Sequence, residues 1–196
     1  MKRAPNKIIK QMQKTDAQLI SDYLKGQGPA FACLVERHLK GTYNFVWRIV
    51  GNQEEAQDIT QETFVKTWQN LKKYRASQNF RTWLFCIARN TAIDWLRKKK
   101  NFVFSDFQDE EGNNILTEKL ADPSPLPDEL LVRAENQNIL DEALNQLSPI
   151  YREVLVLRFN DHFSFKEIAS VLKKPTNTVK SRHRRALIAL KKILTN

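Results

Sequence analysis

The charge along this 196-residue chain changes sign twice. Residues 72–100 hold nine bases (Lys72, Lys73, Arg75, Arg81, Arg89, Arg97, Lys98, Lys99 and Lys100) against one acid, Asp94. Residues 173–192 hold eight (Lys173, Lys174, Lys180, Arg182, Arg184, Arg185, Lys191 and Lys192) and no acid. Between these blocks, residues 101–142 carry eleven acids and only Lys119 and Arg133. The early part of that middle lacks helical periodicity and runs into Pro123, Pro125 and Pro127, which interrupt regular structure. Two domains are therefore expected, residues 15–100 and 128–196, with a basic tail at 1–14 and a flexible acidic linker at 101–127. A linker of about 27 residues reaches at most roughly 90 Å. That spans two DNA turns of roughly 34 Å each, so both basic blocks can contact one duplex.

Within each half the apolar residues recur at helical spacing. Leu19, Ile20, Tyr23 and Leu24 follow Asp16, the expected N-cap, and Gly26 and Gly28 end that helix. A second helix is expected from Phe31 through Leu34, Val35, Tyr43, Phe45, Val46 and Ile49 to Gly51. A third begins after Asn52, with Ala56, Ile59, Phe64, Trp68 and Leu71 as its apolar stripe. The cleanest period is Phe80, Trp83, Leu84, Ile87, Ala88, Ala92 and Trp95, which defines one buried face of a fourth. Only five glycines punctuate the chain, which suits helices joined by short turns better than sheets and hairpins. The expected fold class is all-α, in two small helical domains.

The second half carries a sharper pattern. Leu144, Leu147, Val154, Leu155 and Leu157 lie on helix interrupted at Ser148–Pro149, where a new helix can start with proline in its first turn. Ser164-Phe165-Lys166-Glu167 is a capping box ahead of Ile168, Ala169, Val171 and Leu172. A break at Lys174–Pro175 then leads, through Thr176 or Asn177 as N-cap, into a basic helix over residues 178–194, with Val179, Ala186, Leu190 and Ile193 inward. A short helix, a tight turn and a basic helix form a helix-turn-helix, whose second helix enters the DNA major groove by its first turns. Asn177, Thr178, Lys180, Ser181 and Arg182, with Arg184 and Arg185 a turn later, are the expected contacts, because Arg suits guanine and Lys suits phosphate.

A formal net charge of +10 favours a polyanionic partner. Cys33 and Cys86 stand far apart among apolar neighbours, without metal-ligand spacing, so two reduced thiols and no metal or other cofactor are expected. Residues 1–14 contain five lysines and arginines but no apolar signal core, and no stretch approaches the roughly 18 apolar residues of a membrane span. No membrane insertion and a cytoplasmic location are expected. No nucleophile triad, phosphate-cradling glycine loop or paired metal-binding acids occur, so the chain reads as no enzyme.

The segments "AFACLVERH", "GNQEEAQDITQETFVKTW", "FRTWLFCIARNTAIDWLRKK", "LSPIYREVLVLRFNDHFSFKEIASVL" and "NTVKSRHRRAL", in this order and at these distances, resemble the extracytoplasmic-function (ECF) group of the sigma-70 family. The resemblance runs from about residue 16 to 194, broken only at the linker. It implies a transcription initiation factor with two partners, core RNA polymerase (the largest-subunit clamp helices and the flap) and promoter DNA. Residues 15–100 correspond to sigma region 2 and residues 128–196 to region 4. Asp58, Gln61, Glu62, Val65 and Gln69 then form the surface for the clamp helices. Lys72, Lys73, Tyr74, Arg75, Asn79, Phe80, Arg81, Asn90 and Arg97 then hold the melted −10 element, with Tyr74 or Phe80 as a stacking face for a splayed base. The helix-turn-helix, at about residues 164–183, then reads the −35 element, and the acidic linker threads channels otherwise used by RNA. By analogy, an anti-sigma factor is the expected inhibitor.

Three positions depart from the family pattern. His183 stands where an aliphatic residue is usual, and Leu187 and Ile188 are apolar where charges are common, as in an additional packed surface. The rival reading, a stand-alone regulator of response-regulator type, shares the Leu-Ser…Glu-Val-Leu…Thr-Val-Lys pattern but requires an α/β receiver with strand runs. The first hundred residues have none.

Overall fold

The structure, a computed structural model, describes residues 13–75, 77–100 and 137–195. Eight α-helices are described: α1 Asp16–Leu24, α2 Pro29–Val50, α3 Gln53–Asn70, α4 Phe80–Lys100, α5 Gln137–Gln146, α6 Pro149–Leu155, α7 Phe165–Leu172 and α8 Thr176–Thr195. A 3₁₀ turn, Leu71–Lys73, follows α3, and a π-helical turn, Val156–Asn160, follows α6. No strand occurs among the described residues. The chain divides into two compact units, one holding α1–α4 and the other α5, α6, most of α7 and α8. The expected linker at 101–127 lies outside the described residues, as does most of the basic tail at 1–14.

In the first unit, α1 starts one residue before the sequence suggests. Thr15 is the N-cap: its Oγ1 accepts from the Gln18 N–H at 3.3 Å while Gln18 Oε1 accepts from the Thr15 N–H at 2.8 Å. Asp16, displaced from capping, points its carboxylate elsewhere. Helix α2 runs unbroken through Gly41 and stops at Gly51, whose φ of 73° satisfies the Trp47 carbonyl from a conformation that a side chain disfavours. Asn52 caps α3 through the Glu55 N–H at 3.0 Å.

The inner face of α3 corrects the expected stripe. Ala56, Ile59, Thr60, Thr63, Phe64 and Thr67 are buried, whereas Trp68 is 51% exposed. Thr63 and Thr67 bury their hydroxyls by donating to the carbonyls of Ile59 and Thr63, each at 2.7 Å, so the polar groups enter the core already satisfied. Trp68 lies one residue, or about 100°, off this line, and its Nε1 donates to the Tyr23 hydroxyl. On α4 the buried apolar residues are Phe80, Leu84, Phe85, Ala88, Ala92, Ile93 and Leu96, with Thr82 and Thr91 buried beside them, while the expected Trp83, Ile87 and Trp95 are half-buried. Leu19, Ile20, Ala30, Cys33, Leu34, Phe64, Leu71, Phe80 and Leu84 pack as one core that gathers all four helices and the 3₁₀ turn. Each fully buried Leu or Phe there contributes roughly 1.5–3 kcal/mol of hydrophobic stabilisation.

In the second unit, α8 packs against α5 and α6. Pro149 opens α6, as its fixed φ favours, and Arg152 donates to the carbonyls of Leu144 (2.8 Å), Asn145 (2.5 Å) and Leu147 (3.3 Å) at the end of α5. Burial pushes the Arg152 guanidinium's pKa down. The π turn lets Val154, Leu155, Val156 and Leu157 all lie within the core, a run that a regular helix would spread over opposite faces. The expected capping box forms: the Ser164 N–H reaches Glu167 Oε2 at 2.9 Å, and the Glu167 N–H reaches Ser164 Oγ at 3.3 Å. Helix α8 begins at Thr176, two residues before the sequence suggests.

Candidate nucleic-acid interface

The second helix of the expected helix-turn-helix is α8, Thr176–Thr195. Val179, Arg182, Ala186 and Leu190 form its buried line. Asn177, Lys180, Ser181 and Arg185 are exposed, and Thr178 and Arg184 are half-exposed. Six of the seven expected −35 residues therefore reach the surface. Arg182 does not: it is 4% exposed, three residues after Val179 and four before Ala186, and helical geometry carries it into the unit. The sequence placed it by charge, and packing overrides that placement.

His183 is enclosed by two aromatic rings, Phe159 stacked at 5.7 Å and Phe165 edge-on at 5.1 Å. Burial and then the Arg158 charge push its pKa down, so the ring is held neutral. The unusual residue at this position is thus half-buried, where a flat ring fits the aromatic slot. Leu187 packs partly against the Leu144–Leu190 core, while Ile188 remains 54% exposed.

In the first unit, the loop between α3 and α4 carries the other basic group. Lys72, Lys73, Arg75 and Asn79 are exposed, and Asn90 and Arg97 are exposed along α4. Arg97 lies 3.8 Å from Asp94 one turn back, a solvated pair of little energetic weight. Arg81 is half-buried, with its guanidinium over the Phe85 ring at 5.3 Å. The two expected stacking rings differ. Phe80 is 3% exposed and belongs to the core, because as the first residue of α4 it anchors that helix; it offers no open face. Tyr74 is half-buried, packs against Phe80 (5.7 Å) and Trp83 (5.3 Å), and donates its hydroxyl to the Gln78 carbonyl across the loop. Asn79 Oδ1 accepts from the Thr82 N–H at 3.3 Å, which closes the loop onto the start of α4.

On the outer face of α3, Asp58, Gln61, Glu62, Val65 and Gln69 are all exposed at helical spacing, Val65 by 50%. Glu62 meets Lys66 at 2.8 Å in an exposed i,i+4 pair. A half-exposed aliphatic residue flanked by carboxylates and amides suits a helix bearing cations. Trp68, missed as a surface residue, borders this stripe.

Comparison with known proteins decides which family the chain belongs to. Residues 34–102 match the family description Sigma-70 region 2, and residues 137–190 match Sigma-70, region 4. The chain is 36% identical over 177 residues to ECF RNA polymerase sigma factor SigW of Bacillus subtilis, covering 89% of this chain and 94% of that one. This chain belongs to the ECF group of the sigma-70 family. It is also 31% identical to the ECF RNA polymerase sigma-E factor of Escherichia coli, over 91% of this chain and 93% of that one. Among solved structures, CnrH in complex with the cytosolic domain of CnrY is similar with a TM-score of 0.66 at 25% identity, covering 92% of this chain and 97% of that one. The sigma factor RpoE in complex with the anti-sigma factor NepR from Bartonella quintana is similar with a TM-score of 0.63 at 25% identity, covering 84% and 96%.

As an ECF sigma factor, the chain is a transcription initiation factor. No group of metal ligands occurs among its described residues, and none of its described helices is long and apolar enough to cross a membrane. Cys33 and Cys86 are free thiols.

Proposed function

We propose that this ECF sigma factor binds the clamp helices of core RNA polymerase through the outer face of α3, reads the −35 element as duplex with α8, and holds the melted −10 strand along the loop at 72–79. The observation that carries this reading is the separation of chemistries within the first unit. The acid-and-amide stripe Asp58–Gln61–Glu62–Val65–Gln69 lies on one helix, and the cations Lys72, Lys73 and Arg75 begin directly after it. A protein partner with basic helices and a nucleic-acid strand can thus be engaged side by side. For the −35 element the outward residues Asn177, Thr178, Lys180, Ser181, Arg184 and Arg185 supply the contacts, and Arg182 supports them from inside. For the −10 strand, Lys72, Lys73, Arg75, Asn79, Asn90 and Arg97 supply polar contacts, with Arg81 at the margin, and Tyr74 supplies the partly open ring.

Catalysis belongs to the polymerase in this reading, and the factor works in the cytoplasm under an anti-sigma inhibitor, as the complex of RpoE with the anti-sigma factor NepR illustrates for a similar protein. The test is co-elution of the purified chain with sigma-free core polymerase on a sizing column, after nuclease treatment and at moderate salt, where phosphate-only adhesion is weakened. Stable co-elution and promoter-dependent transcription are expected. Duplex binding without co-elution would overturn the α3 assignment.

A further inference from the structure

The residues that hold the 72–79 loop in shape come from far earlier in the chain. Asp16 Oδ1 accepts from Arg37 Nη1 at 2.5 Å, and Asp16 Oδ2 lies 2.8 Å from His38 Nε2. A carboxylate only accepts, so Nε2 carries the proton and donates. His38 is 9% exposed and meets the Phe80 ring edge-on at 5.4 Å. Phe80 in turn packs on Tyr74 and Trp83, and Tyr74 closes the loop through the Gln78 carbonyl. A hydrogen bond from His38 on α2 to the Asp16 carboxylate on α1 thus connects, through two ring contacts, to the base of the loop. The connection is felt electrically too: burial, and then the Asp16 charge, push the Tyr74 phenol up. At Asp16 burial pushes the carboxyl up, but the hydrogen bonds and charges of His38 and Arg37 outweigh it and hold the carboxyl below its usual range.

We propose that Asp16 and His38 are positioning residues for promoter-strand capture: the His38–Asp16 hydrogen bond fixes the His38 ring, which sets Phe80 and Tyr74 and thereby the presentation of Lys72, Lys73 and Arg75. The proposal rests on the reading of this loop as the −10 strand site. Neither residue touches DNA, and neither lies on the α3 face read as the polymerase contact. Strand capture and polymerase assembly should therefore separate.

The experiment reconstitutes holoenzyme from core polymerase and full-length chain. A promoter is selected by mapping transcript 5′ ends made by the wild-type holoenzyme, and the probe is a fluorescent single-stranded oligonucleotide carrying its non-template −10 segment. Loss of a charge-assisted hydrogen bond predicts about tenfold weaker oligonucleotide binding for His38→Leu and Asp16→Asn, with core assembly changed less than about twofold. His38→Gln, whose amide can donate from similar reach, should recover most of the affinity. Unchanged oligonucleotide binding in His38→Leu, a parallel loss of core assembly, or a His38→Gln variant as weak as His38→Leu would each overturn the proposal. If His38→Leu fails to fold, Asp16→Asn carries the same criteria, since Arg37 can still bond the amide oxygen. The triple variant Lys72→Ala/Lys73→Ala/Arg75→Ala separates the two levels. If it leaves oligonucleotide binding intact, the loop reading itself fails. If it weakens binding while His38→Leu does not, only the positioning role fails.

Discussion

The chain presents cations in two ways. On α8 they project from a helix whose inner line, Val179, Arg182, Ala186 and Leu190, is buried, so backbone hydrogen bonds set the spacing of Lys180, Arg184 and Arg185. At 72–79 they project from a loop pinned at its ends by Leu71 and Phe80 and crossed by the Tyr74–Gln78 hydrogen bond. A rigid helix matches the major groove of a duplex, which is about 12 Å wide and presents base edges at fixed distances. An unpaired strand has no fixed groove, and loop cations beside a partly open ring can follow its backbone and stack a base. In the proposed function, the same charge serves two forms of nucleic acid because the scaffolds under it differ in what they hold rigid.

The largest expected effect falls on the loop's anchor. Phe80→Ala should destabilise the first unit by about 3–5 kcal/mol, read as a lower urea midpoint, because the ring is enclosed by core residues. A loss of unfolding free energy below about 1 kcal/mol would mean that the loop does not depend on this anchor and would break the contrast with α8.

The next test lies within α8. Arg182→Ala should lower the urea midpoint, corresponding to a loss of about 1–3 kcal/mol of unfolding free energy for a buried polar group whose surroundings are left unsatisfied. Lys180→Ala should leave the midpoint unchanged and flatten the salt dependence of duplex binding by about one counterion unit. The reverse pattern would place Arg182 at the DNA and Lys180 in a structural role.

Smaller still, Asp58→Ala with Glu62→Ala should weaken core assembly by about tenfold, the size expected for losing charge complementarity at a rim. Duplex binding by the free chain should not fall. A loss of duplex binding without loss of assembly would reverse the roles of α3 and the basic surfaces.

The smallest effect concerns pH. The His183 pKa is lowered by folding, so below the ordinary histidine value of about 6.5 the unfolded chain binds a proton that the folded one excludes. The stability contributed by the neutral, packed ring is thus present above that value and is lost as pH falls through the depressed folded pKa. His183→Leu should reduce the midpoint difference between pH 7.5 and pH 5.5 relative to the wild type. An unchanged difference would show that the aromatic slot around His183 does not resist protonation.

Much of this was legible locally. The period from Phe80 to Trp95 identifies a helix, Ser164 with Glu167 identifies the start of another, and the sign changes in charge separate two basic regions from the acidic middle. Those signals live within one turn or one window of sequence, where backbone geometry dictates the pattern directly. Three placements were not legible. An error of a single residue rotates a helical position by about 100°, and that is enough to exchange Thr67 with Trp68 between core and surface. Arg182 shows the same limit, since its chemistry points outward while its register points in. The Asp16–His38 pair had no local signal at all: the partners are 22 residues apart, and Asp16 had an ordinary expectation as a helix cap. Sequence alone determined the helices, their order, the two basic regions and the family. Only the tertiary structure decided which polar side chains are buried and which early residues brace the loop, because those choices are made by packing between helices that are distant in the chain.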